Sequence, residues 1–264
     1  MSCLNAEGLN AACVEMSLPW RVVVVEDVGS TSDVVRDFAL HGEPPDLVFF
    51  AESQTAGRGR RENRWVASKG EDLMFSILLQ PPVDIRLWPR LTTLAALALC
   101  RAIESELPLK PQIKWPNDIY LNDLKISGLL AEAVTLSSGM ALVFGVGVNV
   151  NSSAFPPALV GTATSLLSAL KLPSVRELDR QALAIAILQQ LHRQFQRIDH
   201  GYHEAVAEVR ERSWLLGRQI RATVNGVEVY GRMLDLDAEG FLILAMPDGS
   251  TTVLSSAEGV RQVV

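Results

Sequence analysis

Cysteine is scarce in this chain of 264 residues: Cys3, Cys13 and Cys100 are the only three, and none is spaced as CxxC. An odd count without a framework excludes a disulfide scaffold and fits reduced thiols in a cytosolic protein. Histidine is nearly as rare. His41, His192, His200 and His203 share no ligand spacing with the cysteines, which excludes a Cys/His metal cluster. His192, His200 and His203 fall in helical sequence and read as exposed helix residues. No GxSxG elbow is present. No apolar run reaches the length of a membrane span; the nearest, Leu91 to Cys100, contains two threonines and is followed by Arg101 and Glu104. The opening stretch MSCLNAEGLNAACVEMSLPW lacks a basic region followed by an apolar core, so it does not read as a signal peptide. A cytoplasmic protein is the expectation. Positive charge is also in deficit. The net charge of −6 argues against non-specific nucleic-acid binding, so any basic function must be local.

The hydrophobic content of 48% and charged content of 20% suffice for a real core and argue against disorder. The length suits one large domain, or one domain plus a small one. Residues 1–18 look like a loose leader. RVVVVE (21–26), DLVFFA (46–51), DLMFSILLQ (72–80) and the glycine-interrupted ALVFGVGVNVN (141–151) read as strands. Residues 112–134 read as strand, turn and hairpin, with Asn122-Asp123 as the turn. Helices are expected after the GSTSD stretch (29–33), whose hydroxyls can cap, and over 88–105, 179–198 and 202–213. After Trp214 the texture changes to short β segments punctuated by Asn225-Gly226, Glu239-Gly240 and Asp248-Gly249. That pattern predicts a small antiparallel barrel. The division is therefore a leader (1–18), a catalytic-size domain (19–213) and a small β domain (214–264). Strands with helices between them predict an α+β fold, one mixed sheet backed by helices.

One stretch runs against the acidic total. AESQTAGRGRRENRW (51–65) carries Gly57-Arg58-Gly59-Arg60-Arg61 and then Arg64. Glycines let several N–H groups converge on an anion, and arginines add bidentate donors for carboxylate or phosphate. GxGxxG is incomplete, because Glu62 stands at the sixth position, and no Walker lysine follows. Alone, the loop is equally a solvated basic turn. It has company, however. KWPNDIYLNDLKISG supplies Lys114, Trp115, Asn117, Asp118 and Lys125, with Ser127-Gly128 just beyond. Pro116 fixes the backbone between an aromatic and polar side chains able to bond a purine edge or a hydrated metal. Asn149 and Asn151, in an apolar strand end, must find partners or cost about 1–3 kcal/mol. A ligand and a structural network both satisfy that demand. The set is cationic and amide-rich, with no nucleophile. It suits stabilising charge on a phosphoryl group while both reacting groups come from substrates.

In order and spacing, GSTSD, AESQTAGRGRRENRW, KWPNDIYLNDLKISGLLAEA and GVGVNVN resemble the motifs of the biotin protein ligase family, over roughly residues 20–212. The segment 214–264 resembles that family's Src-homology-3-like C-terminal barrel. The resemblance implies a core related to class II aminoacyl-tRNA synthetases, an analogy for adenylate chemistry. It implies two steps: biotin and MgATP give biotinyl-5′-AMP and pyrophosphate, then the acyl group passes to one lysine of a biotin carboxyl carrier protein. By the same resemblance Arg60 and Lys125 are catalytic and bracket carboxylate and phosphate. Ser30, Thr31 and Gln54 hold biotin's ureido ring, with Gly57, Arg58 and Gly128 lining the pocket. Arg58 also serves the nucleotide, Trp65 covers the adenylate, and Asn117 and Asn149 sit near adenine. Asp118 helps place Mg²⁺. ATP, Mg²⁺ and biotin are consumed or borrowed, with no tightly bound prosthetic group. The family includes monomers and dimers, so a homodimer is open. Its bifunctional members carry an N-terminal winged helix-turn-helix; about 20 residues stand in that place here, so no DNA binding is expected. The family's usual glycine is replaced by Glu62, which bears on loop ordering. A lipoate or octanoate ligase, a sensor without turnover, and a nucleic-acid binder are the competing readings.

Overall fold

The β-branched run after Trp20 forms an extended strand because its branched side chains suit a pleated, half-buried surface. The computed structural model describes residues 3–60, 63–172 and 177–263. Arg61 and Glu62, and with them the departure at Glu62, lie outside the described residues.

The first unit runs α1 (Ala6–Glu15), β1 (Arg21–Val28), α2 (Thr31–Leu40), β2 (Leu47–Gln54), β3 (Leu73–Leu79), α3 (Arg90–Glu106), β4 (Gln112–Lys114), β5 (Asp118–Leu121), β6 (Leu124–Leu136), β7 (Gly139–Val148), α4 (Leu166–Leu170), α5 (Arg180–Phe195) and α6 (Tyr202–Glu211). Its seven strands form one sheet in the order β1-β2-β3-β7-β6-β5-β4. The pair β1–β2 is parallel and the others are antiparallel, so the sheet is mixed as expected. Alternation sorts the side chains onto two faces. Val48, Phe50, Phe75, Ile77, Phe144 and Val146 join the main core with α3 and α5. Phe49, Leu78, Val134 and Val143 turn the other way and pack with Val35 and Ala39 of α2. Farther along that second face the strands present Ser76, Gly145, Gly147 and Gly128 instead of bulky residues, and the site is built there.

Five short strands follow: β8 (Gln219–Val224), β9 (Val227–Leu236), β10 (Leu242–Ala245), β11 (Thr251–Leu254) and β12 (Glu258–Gln262). They form a separate antiparallel sheet ordered β11-β10-β9-β8-β12, the small C-terminal unit that the turn signals predicted. Asn225 and Gly226 both have positive φ, as a tight β8–β9 hairpin requires. Asn122 and Asp123 do the same between β5 and β6. Trp115 ties the two units together: it is buried and its Nε1–H donates to the Gly240 carbonyl at 3.1 Å. The Trp of the Trp-Pro-Asn-Asp run is thus a packing residue as well as part of the cavity wall, which all four residues of the motif line.

The loose leader expected over residues 1–18 is corrected. Asn5 caps α1 by accepting from the Gly8 N–H, and Leu9 and Cys13 are buried in the main core. Asn10 bonds both the N–H and the carbonyl of Val22, which splices α1 onto β1. The apolar positions are too few to show a helical stripe, which is why the sequence reads as unstructured. A second correction concerns the GSTSD hydroxyls. Ser30 occupies the N-cap position of α2, but its hydroxyl makes no capping bond. Among the described residues no helix is long and apolar enough to cross a membrane.

Candidate active site

A cavity of about 380 Å³ opens over the glycine-lined part of the sheet. The basic loop forms its roof. The loop leaves β2 with its first limb tied to β1, as Thr55 and Ala56 donate to the carbonyls of Val28 and Gly29. It then folds back on itself. Arg58 and Arg64 form a β-bridge, the Trp65 N–H donates to Gly57 O, and the Gly59 N–H donates to Asn63 O. Gly57 allows this turn because a Cβ there would lie 2.5 Å from the Trp65 carbonyl oxygen. That is its visible role; it does not line the cavity.

Nine of the expected residues do line it: Thr31, Gln54, Arg58, Arg60, Trp65, Asn117, Asp118, Lys125 and Gly128. At one end Gln54 Oε1 accepts from the N–H and hydroxyl of Thr31, at 2.7 and 3.2 Å. Thr31 Oγ1 lies 2.8 Å from Ser76 Oγ, which lies 3.0 Å from Ser32 Oγ. Arg58 is held by two carboxylates, Asp33 at 2.8 Å and Glu132 at 2.5 Å, and so joins α2 to β6. At the other end Arg60 donates to Asn117 Oδ1 at 3.2 Å, while Asn117 Nδ2 donates to the Leu129 carbonyl. Lys125 pairs with Asp118 at 2.6 Å and stands 5.9 Å from the centre of the Trp65 ring. The indole itself rests on Gly147 and Gly128.

Two expected residues stand behind the lining. Ser30 and Asn149 are buried, and Ser30 Oγ and Asn149 Oδ1 have no hydrogen-bond partner, although Asn149 Nδ2 donates to the Thr164 carbonyl. Such orphans cost about 1–3 kcal/mol each unless something arrives to satisfy them. Asn151 is different. It exchanges both side-chain bonds with the backbone of Leu178 and is structural.

Sequence reasoning missed Ser32, Gly145 and Arg261, which line the cavity, and Ser76, which stands behind the lining and bonds Thr31 and Ser32. Ser76 was hidden inside an apolar strand, though a lone serine in such a run is itself a signal. Arg261 comes from β12 of the second sheet, and no local pattern connects it to the loop. Lys114, also in the lining, donates to the Tyr120 hydroxyl at 3.1 Å. Burial pulls its ammonium below the ordinary lysine range, and the nearby Asp118 charge opposes that shift.

The charge balance of the lining is decisive for ligand type. Among the described residues Arg58, Arg60, Arg64, Lys114, Lys125 and Arg261 face it, against Asp118 and Glu258. That excess suits an anion with several negative charges. Among the described residues no group of three or more His, Cys, Asp or Glu side chains gathers to hold a metal. A magnesium cage made of protein alone therefore does not fit. A largely hydrated ion brought in by a polyphosphate does fit a lining whose carboxylates are Asp118, paired with Lys125, and Glu258.

Comparison with known proteins agrees with this geometry. Residues 24–149 match the profile of the biotin/lipoate A/B protein ligase family, and residues 215–258 match that of the biotin protein ligase C terminal domain. A biotin–[acetyl-CoA-carboxylase] ligase of Mycobacterium tuberculosis is 31% identical over 265 residues, covering 98% of this chain and 96% of the relative. The chain belongs to the biotin protein ligase family. A bifunctional ligase/repressor of Bacillus spizizenii is 32% identical over 240 residues, covering 89% of this chain and 72% of that protein. Among solved structures, the biotin protein ligase of Aquifex aeolicus in complex with biotin and ATP superposes with a TM-score of 0.80 at 23% identity, over 92% of this chain and 99% of that one. The last likeness establishes the biotin protein ligase fold for this chain.

Proposed function

We propose that this chain activates biotin with ATP and transfers it to a lysine of a carboxylase carrier protein. The observation that carries the reading is the cavity itself: among the described residues, six cationic side chains against two carboxylates, over a floor of glycine and apolar residues. A bicyclic urea with an apolar body and a carboxylate tail needs such a floor, a few fixed polar groups and a cationic end.

In the first step a carboxylate oxygen of biotin attacks the α-phosphorus of ATP. The new P–O bond forms as the bond to the β-phosphate oxygen breaks, and pyrophosphate leaves. Two anions approach each other, so the barrier is largely electrostatic. Arg60 and Lys125 neutralise the charge at the reacting centre. Asn117 orients Arg60, and Asp118 holds Lys125; Asp118 would also be the protein contact of a magnesium ion, which would supply charge neutralisation on the phosphates. Lys114 and Arg261 face the leaving pyrophosphate. Thr31 and Gln54 hold the ureido ring, with Ser30 supplying its unpartnered oxygen. Asn149 Oδ1 accepts from the adenine amine, and Trp65 closes over the adenylate. Arg58, braced by Asp33 and Glu132, fixes the roof. In the second step the neutral ε-amine of the acceptor lysine attacks the acyl carbonyl. The amide C–N bond forms, the C–O bond to phosphate breaks, AMP leaves and the amine gives up a proton.

The test is biotin-dependent exchange of labelled pyrophosphate into ATP. Exchange with biotin supports the reading, and exchange only with another acid rejects it. Because the matched family also covers lipoate ligases, lipoate belongs in the same assay as competitor. A net charge of −6 gives no support to a duplex-DNA role.

A further inference from the structure

Among the described residues one ion pair is fully buried: Arg180 and Glu52, whose side chains are 1% and 3% exposed. Arg180 opens α5. Its guanidinium donates to Glu52 Oε2 at 2.7 Å, to Glu52 Oε1 at 3.3 Å and to the Asp72 carbonyl at 3.1 Å. The Leu4 N–H completes Glu52 Oε1 at 2.6 Å. Next to this pair lies a second buried carboxylate. Asp72 accepts from the N–H of Val150 at 2.8 Å, the hydroxyl of Ser152 at 2.6 Å and the N–H of Ser68 at 3.2 Å. The carbonyl of Glu52 accepts from Gly70 at 3.1 Å.

Such a hub is a poor way to gain stability. Desolvation of a buried ion pair offsets most of its attraction, and apolar packing of similar volume serves as well. What a buried polar cluster bonded at this many points supplies is direction: each bond fixes one group at one place. Here the bonds converge on two stretches. Ser68, Gly70 and Asp72 are the second foot of the basic loop, just after Trp65. Val150 and Ser152 directly follow Asn149. Glu52 itself stands two residues before Gln54 on β2. The hub thus ties the second foot of the roof and the strand end at Asn149 to one buried point, apart from the cavity lining.

We infer that Glu52, Arg180 and Asp72 are positioning residues for the adenylation site, which hold the second foot of the loop so that Trp65 closes over the nucleotide. This rests on the biotin-ligase reading above. The first foot is held independently, by the bonds of Thr55 and Ala56 to β1 and by the ion pairs of Arg58, so loss of the hub frees the second foot and leaves the biotin end in place.

The full chain and its variants Asp72→Asn, Glu52→Gln and Ser152→Ala are loaded with biotin and ATP labelled at the α-phosphate. Three quantities are read: the release rate of the labelled adenylate, the KM for ATP with the Kd for biotin, and Tm. Displacing reacting groups by about an ångström changes rates by up to about 100-fold. The expected result is adenylate release roughly 10- to 100-fold faster in Asp72→Asn and Glu52→Gln, and a smaller acceleration in Ser152→Ala. The KM for ATP rises while the Kd for biotin stays within about twofold, the split that separates positioning of the roof from general loosening. If the buried-charge variants do not fold, Ser152→Ala decides alone. Unchanged release in the variants that fold overturns the inference, as does a parallel loss of biotin and ATP binding with a fall in Tm. Failure of the unaltered chain to form any adenylate overturns the biotin-ligase reading instead.

Discussion

The indole of Trp65 occupies the space that a side chain at residue 147 would need: a Cβ on Gly147 would lie 2.3 Å from Trp65 Cε2. The roof of the cavity is therefore seated on the sheet through one missing side chain. Gly147 has no positive φ, so backbone freedom is not what the position demands. Gly147→Ala should fold normally, because its strand conformation admits any residue, yet it should lift Trp65 off the floor. Pyrophosphate exchange falls by about tenfold or more if the roof is part of the adenylating machinery. A fluorescence shift of the tryptophan emission with unchanged exchange would show that the seat is dispensable.

Lys125 reaches into the cavity from β6, held by Asp118 at 2.6 Å. Removing one donor that stabilises developing charge typically lowers kcat by about 10²–10³. Lys125→Ala is expected to lose adenylate synthesis on that scale while still binding biotin. Initial rates of adenylate formation, with biotin affinity by calorimetry, check this. A near-normal rate refutes the assigned role.

The N-terminal helix belongs to the core. Leu9 is fully buried, on a helix that packs against β1 and α5. Truncating a buried leucine costs about 2–5 kcal/mol. Leu9→Ala should lower the urea midpoint of the whole chain by a corresponding amount, whereas a detached leader would leave it unchanged.

Burial raises the Asp72 carboxyl above its ordinary range, against the bonds from Ser152 and the backbone, which lower it. The folded protein then holds this proton more tightly than the unfolded chain. Stability from this titration is present at low pH and is lost as pH rises through the raised value. Asp72→Asn removes the titration, so the advantage of the natural residue over asparagine should shrink as pH rises from the acid side toward neutrality. Urea unfolding across that range measures it. An advantage that grows with pH would mean that the bonds to the ionised carboxylate outweigh its desolvation.

Much of this architecture was legible because periodicity and turn chemistry are local. The valine run of β1, the Asn-Asp and Asn-Gly hairpins and the long apolar stripe of α3 each announce themselves within a few residues. The nine cavity residues were legible for another reason, the resemblance of their motifs, with charge pattern as support. What stayed hidden depends on distant partners. Nothing local tells that Trp115 packs on Gly240, that Arg261 crosses from the second sheet, or that Leu4 caps Glu52. The hydroxyl of Ser30 misled for the opposite reason: its position is the one a capping serine would take, and its bond is simply not made.

The central claim is the transfer of biotin to a carrier lysine. The most direct measurement is intact-mass spectrometry of a biotin carboxyl carrier domain incubated with this protein, ATP, Mg²⁺ and biotin. The account predicts one added biotinyl group on one lysine, dependent on ATP and absent with Lys125→Ala. A carrier that stays unmodified, or that gains lipoate but not biotin when both are offered, would contradict it.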